Sequence, residues 1–224
     1  MEAIAHLLEL ESRTKTEIQS QLKTFHDERR KVWLTSSFQT QSLPLLHMLS
    51  QMAPEVPVIL IDTGFLFPET YSFARQLAGE WGLDLVQIRS QRTYHDQRTP
   101  SGHFLFTEDI DRCCQVNKVE PVQRLIQPGD VWISGVRRDQ STIRAAKQRI
   151  ETDARGVIRY HPMLNWTGRD VYRYINSYKL PKHPLESQGF VSIGCVPCTR
   201  KWADPDRGGR WEGSSKTECG LHTQ

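Results

Sequence analysis

The sequence contains no long apolar run, no internal repeat and no low-complexity tract. No stretch approaches the roughly 18 apolar residues that a membrane-spanning helix needs. The first residues, MEAIAHLLELESRTK, lack the basic start and apolar stretch of a secretory signal. We therefore expect a cytoplasmic protein without membrane contact. The formal net charge is only +3 over 224 residues, so nothing in the composition requires a nucleic acid partner, and we expect none.

Cysteine is scarce, and its spacing is unusual. The five cysteines form an adjacent pair (Cys113, Cys114), a C-x-x-C pair (Cys195, Cys198) and a last one, Cys219, in the segment KTECGLH. Structural disulfides are not expected in a cytosolic chain. The odd total predicts four ligands and one functional thiol.

The chain also lacks the second C-x-x-C or His pair that usually completes a zinc site. Adjacent ligands such as Cys113 and Cys114 are awkward around one tetrahedral ion, whereas a four-iron cluster can accept them on different irons. A redox dithiol, or unrelated buried cysteines, would need no partner pair, so these alternatives stay open at this point. Lys118, one helical turn beyond Cys114, would place a cation near an anionic cluster.

Short apolar runs alternate with helical segments from Val32 onward, which predicts an α/β fold with a mostly parallel sheet. A helix-prone segment precedes them, and a helix GRDVYRYINSY follows them. The residues after Tyr178 are rich in Gly, Pro and charge and predict a tail that folds over the main domain or stays mobile. The predicted strands are KVWL, PVILID, LDLVQI and DVWISG; the predicted intervening helices begin near Ser42, at Pro68 (ending at Gly82) and near Val116.

Polar loops follow three of these strands: TSSFQTQS, DTGFLFPET and SGVRRDQS. Ligands of open α/β sheets bind beyond the carboxyl ends of the strands. Hydroxyls and backbone N–H groups at such turns suit phosphate, and Arg137 and Arg138 add bidentate donors for oxyanions. Together the loops predict a site for a nucleotide-like anion.

The motifs SSFQTQS, DTGFLFPETY, CCQVNKVEP, SGVRRDQS, SIGCVPCTR, GRW and KTECGLH occur here in the order seen in the assimilatory adenylyl-sulfate and phosphoadenylyl-sulfate reductases. From about Trp33 to His222 the chain resembles this family. The resemblance implies an adenine nucleotide alpha-hydrolase-like (PP-loop) three-layer α/β fold with a C-terminal tail. It divides the chain into an N-terminal helical cap (1–30), a sulfonucleotide-binding domain (31–178) and a C-terminal segment (179–224).

The resemblance also implies a reaction and the residues that perform it. The family reduces a small-molecule sulfonucleotide to sulfite and a nucleotide, with thioredoxin or a glutaredoxin-like protein as reductant. Cys219 resembles the nucleophile, which would form an S-sulfocysteine. Cys113, Cys114, Cys195 and Cys198 match the ligands of a 4Fe–4S cluster. The implied substrate contacts are Ser36, Ser37, Gln39, Thr40 and Ser42 of the phosphate loop, Asp62, Thr63 and Gly64, then Lys118, then Arg137, Arg138 and Gln140, and finally Arg200, Arg210 and His222.

The chain departs from the family pattern at Gln39, where many relatives have Gly after SSF. A side chain at this position limits how closely the backbone can approach a phosphate.

Four cluster cysteines favour adenylyl sulfate (APS) as substrate, with its 3′-phosphorylated form (PAPS) as the alternative. A second hypothesis is an iron–sulfur or nucleotide-binding regulator that has lost catalysis, and in such a protein Cys219 would be dispensable. An ATP-using PP-loop enzyme, such as a sulfate adenylyltransferase subunit, would need paired glycines that SSFQTQS lacks. The sequence leaves room for a homo-oligomer.

Overall fold

Six strands form a single sheet in the computed structural model, which describes residues 2–201 and 220–221. The strands are β1 (Val32–Ser36), β2 (Val58–Asp62), β3 (Leu85–Arg89), β4 (Val131–Ser134), β5 (Ile150–Thr152) and β6 (Ile158–Tyr160). Their order is β3-β2-β1-β4-β6-β5, and all neighbouring pairs are parallel except β5 with β6. The predicted, mostly parallel α/β sheet is confirmed. The β5–β6 hairpin was not predicted, because strands of three residues show no period.

The helices surround this sheet. They are α1 (Glu2–Asp27), α2 (Leu43–Met52), α3 (Pro68–Trp81), α4 (Leu105–Glu108), α5 (Ile110–Cys114), α6 (Glu120–Leu125), α7 (Thr142–Ala145) and α8 (Gly168–Ser177). Helix α3 ends at the predicted glycine: Gly82 has φ 63° and its N–H donates to the carbonyl of Ala78, a left-handed cap that favours Gly. Within the described part of the chain, no helix has the length and apolar character to cross a membrane.

Alternating side chains of the strands build two cores, one on each face of the sheet, as the two-residue period of a strand requires. On β2, Val58 and Leu60 belong to the larger core, which contains buried residues of α1, α2, α3 and α8. Ile59 faces the other way, into a smaller core that includes Trp132 of β4 and Val122 of α6. Helices on both faces of one sheet make the predicted three-layer fold.

A continuous helical stretch carries the adjacent cysteines into the site. It consists of α5, a π-helical turn (Gln115–Val119) and α6. Pro121 has no N–H to donate to the carbonyl of Asn117, four residues earlier, and its ring crowds that carbonyl. The ordinary helical ladder is therefore interrupted next to this proline. Single π turns of this kind recur at functional sites, and this one directly follows Cys114.

The strand order creates a switch point beside β1. The chain passes from β1 to β2 and β3 on one side and then returns to β4 on the other side of β1. Where connections leave neighbouring parallel strands in opposite directions, a crevice opens beyond their carboxyl ends. The polar loops after β1 and β4 meet at this crevice.

Candidate functional site

A cavity of about 590 Å³ lies at this crevice. Loops after β1, β2 and β4, the π turn and the segment before Cys195 form its wall. The sequence-predicted residues that line it are Ser36, Ser37, Gln39, Ser42, Thr63, Lys118, Arg137, Gln140 and Cys195. The structure therefore brings most of the predicted substrate contacts and one of the predicted cluster ligands to the same cavity.

The loop after β1 is closed by its own hydroxyl groups. Ser36 Oγ accepts a hydrogen bond from the N–H of Phe38 (3.0 Å) and donates to Ser42 Oγ (3.2 Å), while Ser42 Oγ donates to the carbonyl of Gln39 (2.7 Å). Phe38 has φ 53° and is fully buried. A left-handed backbone is uncommon for such a residue and costs on the order of 1 kcal/mol or more. The loop thus holds one conformation before any ligand arrives.

Gln39 connects this loop to the cysteine segment. Its Oε1 accepts a hydrogen bond from the N–H of Ile193 (3.0 Å), two residues before Cys195. The Gln39 side chain, at the position where the resemblance implies glycine, therefore forms part of the cavity wall and fixes the approach of one wall to the other.

Arginine side chains supply positive charge on the β4 side. Arg137 is 4% exposed; its Nε lies 3.0 Å from Asp139 Oδ1 and its guanidinium donates to Gln41 Oε1 (3.2 Å). Burial lowers the pKa of Arg137, and Asp139 partly offsets this, yet the group stays protonated because arginine titrates far above neutral pH. Arg144, which was not among the predicted contacts, also lines the cavity and donates to Gln140 Oε1. The sequence feature that could have identified Arg144 is the run of basic residues that begins at Arg137.

Arg138 points elsewhere. It donates to Asn165 Oδ1 (3.3 Å) and to the carbonyl of Lys147 (3.2 Å). Of the other predicted contacts, Thr40 is buried and its Oγ1 accepts from the N–H of His183 (3.0 Å). Arg200 donates to the carbonyl groups of nearby loop residues. None of these three side chains lines the cavity as the described residues define it.

Asp62 and Gly64 border a neighbouring cavity of about 660 Å³, and Thr63 lines both. The Asp62 carboxylate is buried and accepts hydrogen bonds from Tyr71, Gln87, Arg89 and the N–H of Gly64. Burial acts to raise its pKa, but these bonds outweigh burial and hold the pKa below its ordinary value. Asp62 is therefore an ionised anchor for the turn after β2.

The four clustered cysteines affect one another electrostatically. Burial raises the pKa of the Cys113 thiol to about 12; Asn117 opposes this, and Cys114, Cys195 and Cys198 raise it further. Two elements far apart in sequence, α5 and the loop 195–198, thus bring their thiols into one neighbourhood. A thiolate at Cys113 is unfavourable there unless a cationic centre accompanies it.

Polar groups surround these sulfur atoms. Thr63 Oγ1 lies 3.2 Å from Cys195 Sγ, and Asn117 Nδ2 lies 3.6 Å from Cys113 Sγ. Asn117 Nδ2 also donates to Gln97 Oε1 (2.7 Å). Within residues 2–201 and 220–221, no three His, Cys, Asp or Glu side chains are arranged to hold a metal ion.

Leu221, near the other end of the sequence, reaches the same cavity. Leu221 lines it, and its carbonyl accepts a hydrogen bond from Arg159 (3.1 Å). The predicted nucleophile Cys219 and the predicted contacts Arg210 and His222 lie outside the described residues.

A three-layer α/β fold with an anion-suited crevice at its switch point defines a protein of the adenine nucleotide alpha-hydrolase-like (PP-loop) class. The model of the phosphoadenosine phosphosulfate reductase domain family matches residues 31–201. The chain belongs to this family.

The chain is similar to proteins named as sulfonucleotide reductases. It is 36% identical over 192 residues to the adenosine 5′-phosphosulfate reductase of Salinibacter ruber, covering 84% of this chain and 76% of that protein. It is 39% identical over 198 residues to the phosphoadenosine 5′-phosphosulfate reductase of Gloeobacter violaceus, covering 86% and 82%. A crystal structure of the phosphoadenylyl-sulfate reductase from Candida auris superimposes with a TM-score of 0.66 at 26% identity, over 84% of this chain and 94% of that one.

Proposed function

We propose that this protein reduces adenylyl sulfate to sulfite and AMP, with Cys219 as nucleophile and thioredoxin or a glutaredoxin-like protein as reductant. Such a reaction supplies reduced sulfur for cysteine biosynthesis. The observation that carries the proposal is the shared cavity: the phosphate loop, Arg137, Lys118, Cys195 and Leu221 all line it. Binding determinants and the segment that follows the predicted nucleophile therefore meet at one place.

The cavity suits a nucleotide with a strongly anionic end. Its lining contains the cations Lys118, Arg137 and Arg144 and one carboxylate, Asp139. The fork of Arg137 favours bidentate contact with phosphate or sulfate oxygens. Because Asp139 and Gln41 hold that fork in place, little ordering is needed when the substrate binds.

The four clustered thiols fit a 4Fe–4S cluster. The donor set is all sulfur, and the buried Cys113 thiol favours its protonated form until a cationic centre is present. Adjacent ligands are compatible with separate iron corners. When bound, the cluster would supply a fixed local charge that helps the substrate bind and react, and Cys113, Cys114, Cys195 and Cys198 would hold it.

The chemistry is a pair of substitutions at sulfur. The Cys219 thiolate attacks the sulfate sulfur, an S–S bond forms, the bond from that sulfur to the bridging oxygen breaks, and AMP leaves. A reductant thiolate then attacks Cys219 Sγ, and sulfite leaves with the electron pair of the broken S–S bond. The second thiol of the reductant resolves the mixed disulfide, so two electrons come from one dithiol.

The test is trapping of the intermediate. Wild-type protein incubated with APS but no reductant should carry one SO₃ group on the tryptic peptide 217–224, which contains Cys219 as its single cysteine. Cys219→Ser should release no sulfite, whereas Ser214→Ala in the same tail should match the wild type. Sulfite release by Cys219→Ser at the wild-type rate would refute the proposal.

PAPS is the second candidate substrate, because relatives of similar identity are named for each nucleotide. Steady-state kinetics with both sulfonucleotides should give a higher kcat/KM for APS. Equal kcat/KM values for APS and PAPS would contradict the proposed preference for APS. Iron and sulfide content, with the visible spectrum of anaerobically purified protein, tests the cluster directly, and Cys114→Ala should abolish that absorbance.

A further inference from the structure

Leu221, two residues after Cys219, is attached next to the cavity by a buried arginine outside the predicted motifs. We propose that Arg159 is a positioning residue: its hydrogen bond to the carbonyl of Leu221, together with the apolar seat of the Leu221 side chain, is a latch that holds Gly220 and Leu221, the two residues after the proposed nucleophile, beside the cavity. The latch rests on the proposed role of Cys219, but its geometry involves only described residues.

Arg159 is an unexpected residue at its position. It lies on β6, two residues after Val157, and therefore faces the smaller core. Its strand neighbours in that core include Trp132 and Ile59, and Arg159 is only 2% exposed. Burying a guanidinium costs several kcal/mol unless partners compensate. A buried charge in an apolar layer indicates a specific task.

The partners of Arg159 aim it at the tail. Its guanidinium stacks on the ring of Trp132 at 3.7 Å and lies 3.6 Å from Asp153 Oδ2. Asp153 in turn accepts hydrogen bonds from the N–H groups of Arg155 and Val157 in the β5–β6 turn. The remaining NH₂ donates to the Leu221 carbonyl at 3.1 Å, while Nε is buried with no hydrogen-bond partner among the described residues. Without the tail, this guanidinium would lose a directed hydrogen bond that nothing described replaces.

Two further contacts complete the latch. The Leu221 side chain packs against the smaller core of Ile59, Val122 and its neighbours. The backbone at Gly220 passes over the π turn, where a Cβ on Gly220 would lie 3.4 Å from Val119 Cγ2. Lys118 is the neighbour of Val119 and lines the cavity. The two residues after Cys219 are thus fixed beside a cavity-lining cation.

The experiment measures exposure of Cys219 directly. Anaerobically purified full-length protein is pulsed with iodoacetamide, digested with trypsin, and the alkylated fraction of peptide 217–224 is followed over time. Arg159→Gln and Leu221→Ala should each accelerate alkylation about tenfold or more, the shift expected when a charged hydrogen bond or a buried leucine is lost. Arg155→Gln is the matched control: Arg155 lies in the same hairpin, but its side chain donates to the carbonyls of Gln123 and Ile126 rather than to that of Leu221.

Two companion measurements separate positioning from general damage. Arg159→Gln should lower kcat while the Kd for AMP stays near wild type, because AMP would contact the loops after β1, β2 and β4 rather than β6. Arg159→Lys keeps the charge and should restore part of the protection. If Arg159→Gln does not fold, Arg159→Lys against Arg155→Lys decides the question by the same alkylation assay.

Equal alkylation rates in the Arg159 and Arg155 variants would overturn the latch. If Cys219→Ser is inactive in that case, the proposed reaction still stands. Conversely, fast alkylation in Arg159→Gln together with full activity in Cys219→Ser would leave the latch intact and reject Cys219 as the nucleophile.

Discussion

The buried imidazole of His161 should make the stability of this protein depend on pH. The side chain is 1% exposed, and its Nδ1 lies 2.9 Å from Ser134 Oγ at the end of β4. Burial, reinforced by the charge of Arg159, lowers the pKa of His161 from 6.5 to about 4, and Glu151 only partly opposes this. Between these two values the unfolded chain binds a proton that the folded protein does not. Stability from this group is therefore complete above about pH 6.5 and is lost as the pH falls towards 4.

The size of the effect follows from the shift. Each pKa unit corresponds to about 1.4 kcal/mol, so the full loss is about 3 kcal/mol, of which about 2 kcal/mol should disappear between pH 7 and pH 5. His47 and His183 also have lowered pKa values because of burial. A difference measurement against a His161 variant removes their contribution.

Urea denaturation of the wild type and of His161→Gln between pH 8 and pH 5 provides the test. The variant is neutral throughout, so its free energy of unfolding should depend less on pH, and the gap between the two proteins should shrink by about 2 kcal/mol on acidification. Parallel curves for the two proteins would refute the argument and place the acid sensitivity in other groups.

Two further substitutions test the loops around the cavity. Gly64 has φ 76°, and a Cβ there would lie 2.6 Å from Tyr94 Oη. Gly64→Ala should therefore lower the free energy of unfolding, measured by urea denaturation, by about 2 kcal/mol. The control Gly79→Ala has open space around the new Cβ and should not lower it. Gln39→Ala removes the acceptor of the Ile193 N–H, so amide exchange of Ile193 should accelerate about fivefold for a bond worth about 1 kcal/mol. Gln76→Ala, which removes a bond to Glu80 on an exposed face, should leave it unchanged. If amide exchange of Ile193 is unchanged in Gln39→Ala, this hydrogen bond does not hold the two walls of the cavity together.

Much of the fold follows from local features of the sequence. Strands β1 to β4 are apolar runs bounded by polar turns, and Gly82 ends α3 because a left-handed cap favours glycine. Ser42 stands immediately before α2, as predicted. The predicted helix near Val116 lies within a longer helical stretch that begins at Ile110, and part of it is a π turn, since Pro121 disturbs the regular ladder.

The site was predictable as a set of motifs but not as an arrangement. Residue types and spacing selected the phosphate loop, Lys118 and the clustered cysteines. They also selected Arg138, which the structure turns towards Asn165, because a sequence does not state which of two adjacent side chains faces a cavity. Roles proposed for Cys219, Arg210 and His222 stay predictions.

By itself, the sequence determined the order of strands β1 to β4 with α2 and α3, the family and the chemistry-bearing residues, because these depend on local periodicity, capping and motif spacing. Only the tertiary structure decided which distant segments meet. The bond from Gln39 to Ile193 spans 154 residues, and that from Arg159 to Leu221 spans 62. Such contacts depend on strand order and on the burial of single polar groups, neither of which leaves a periodic trace in the sequence.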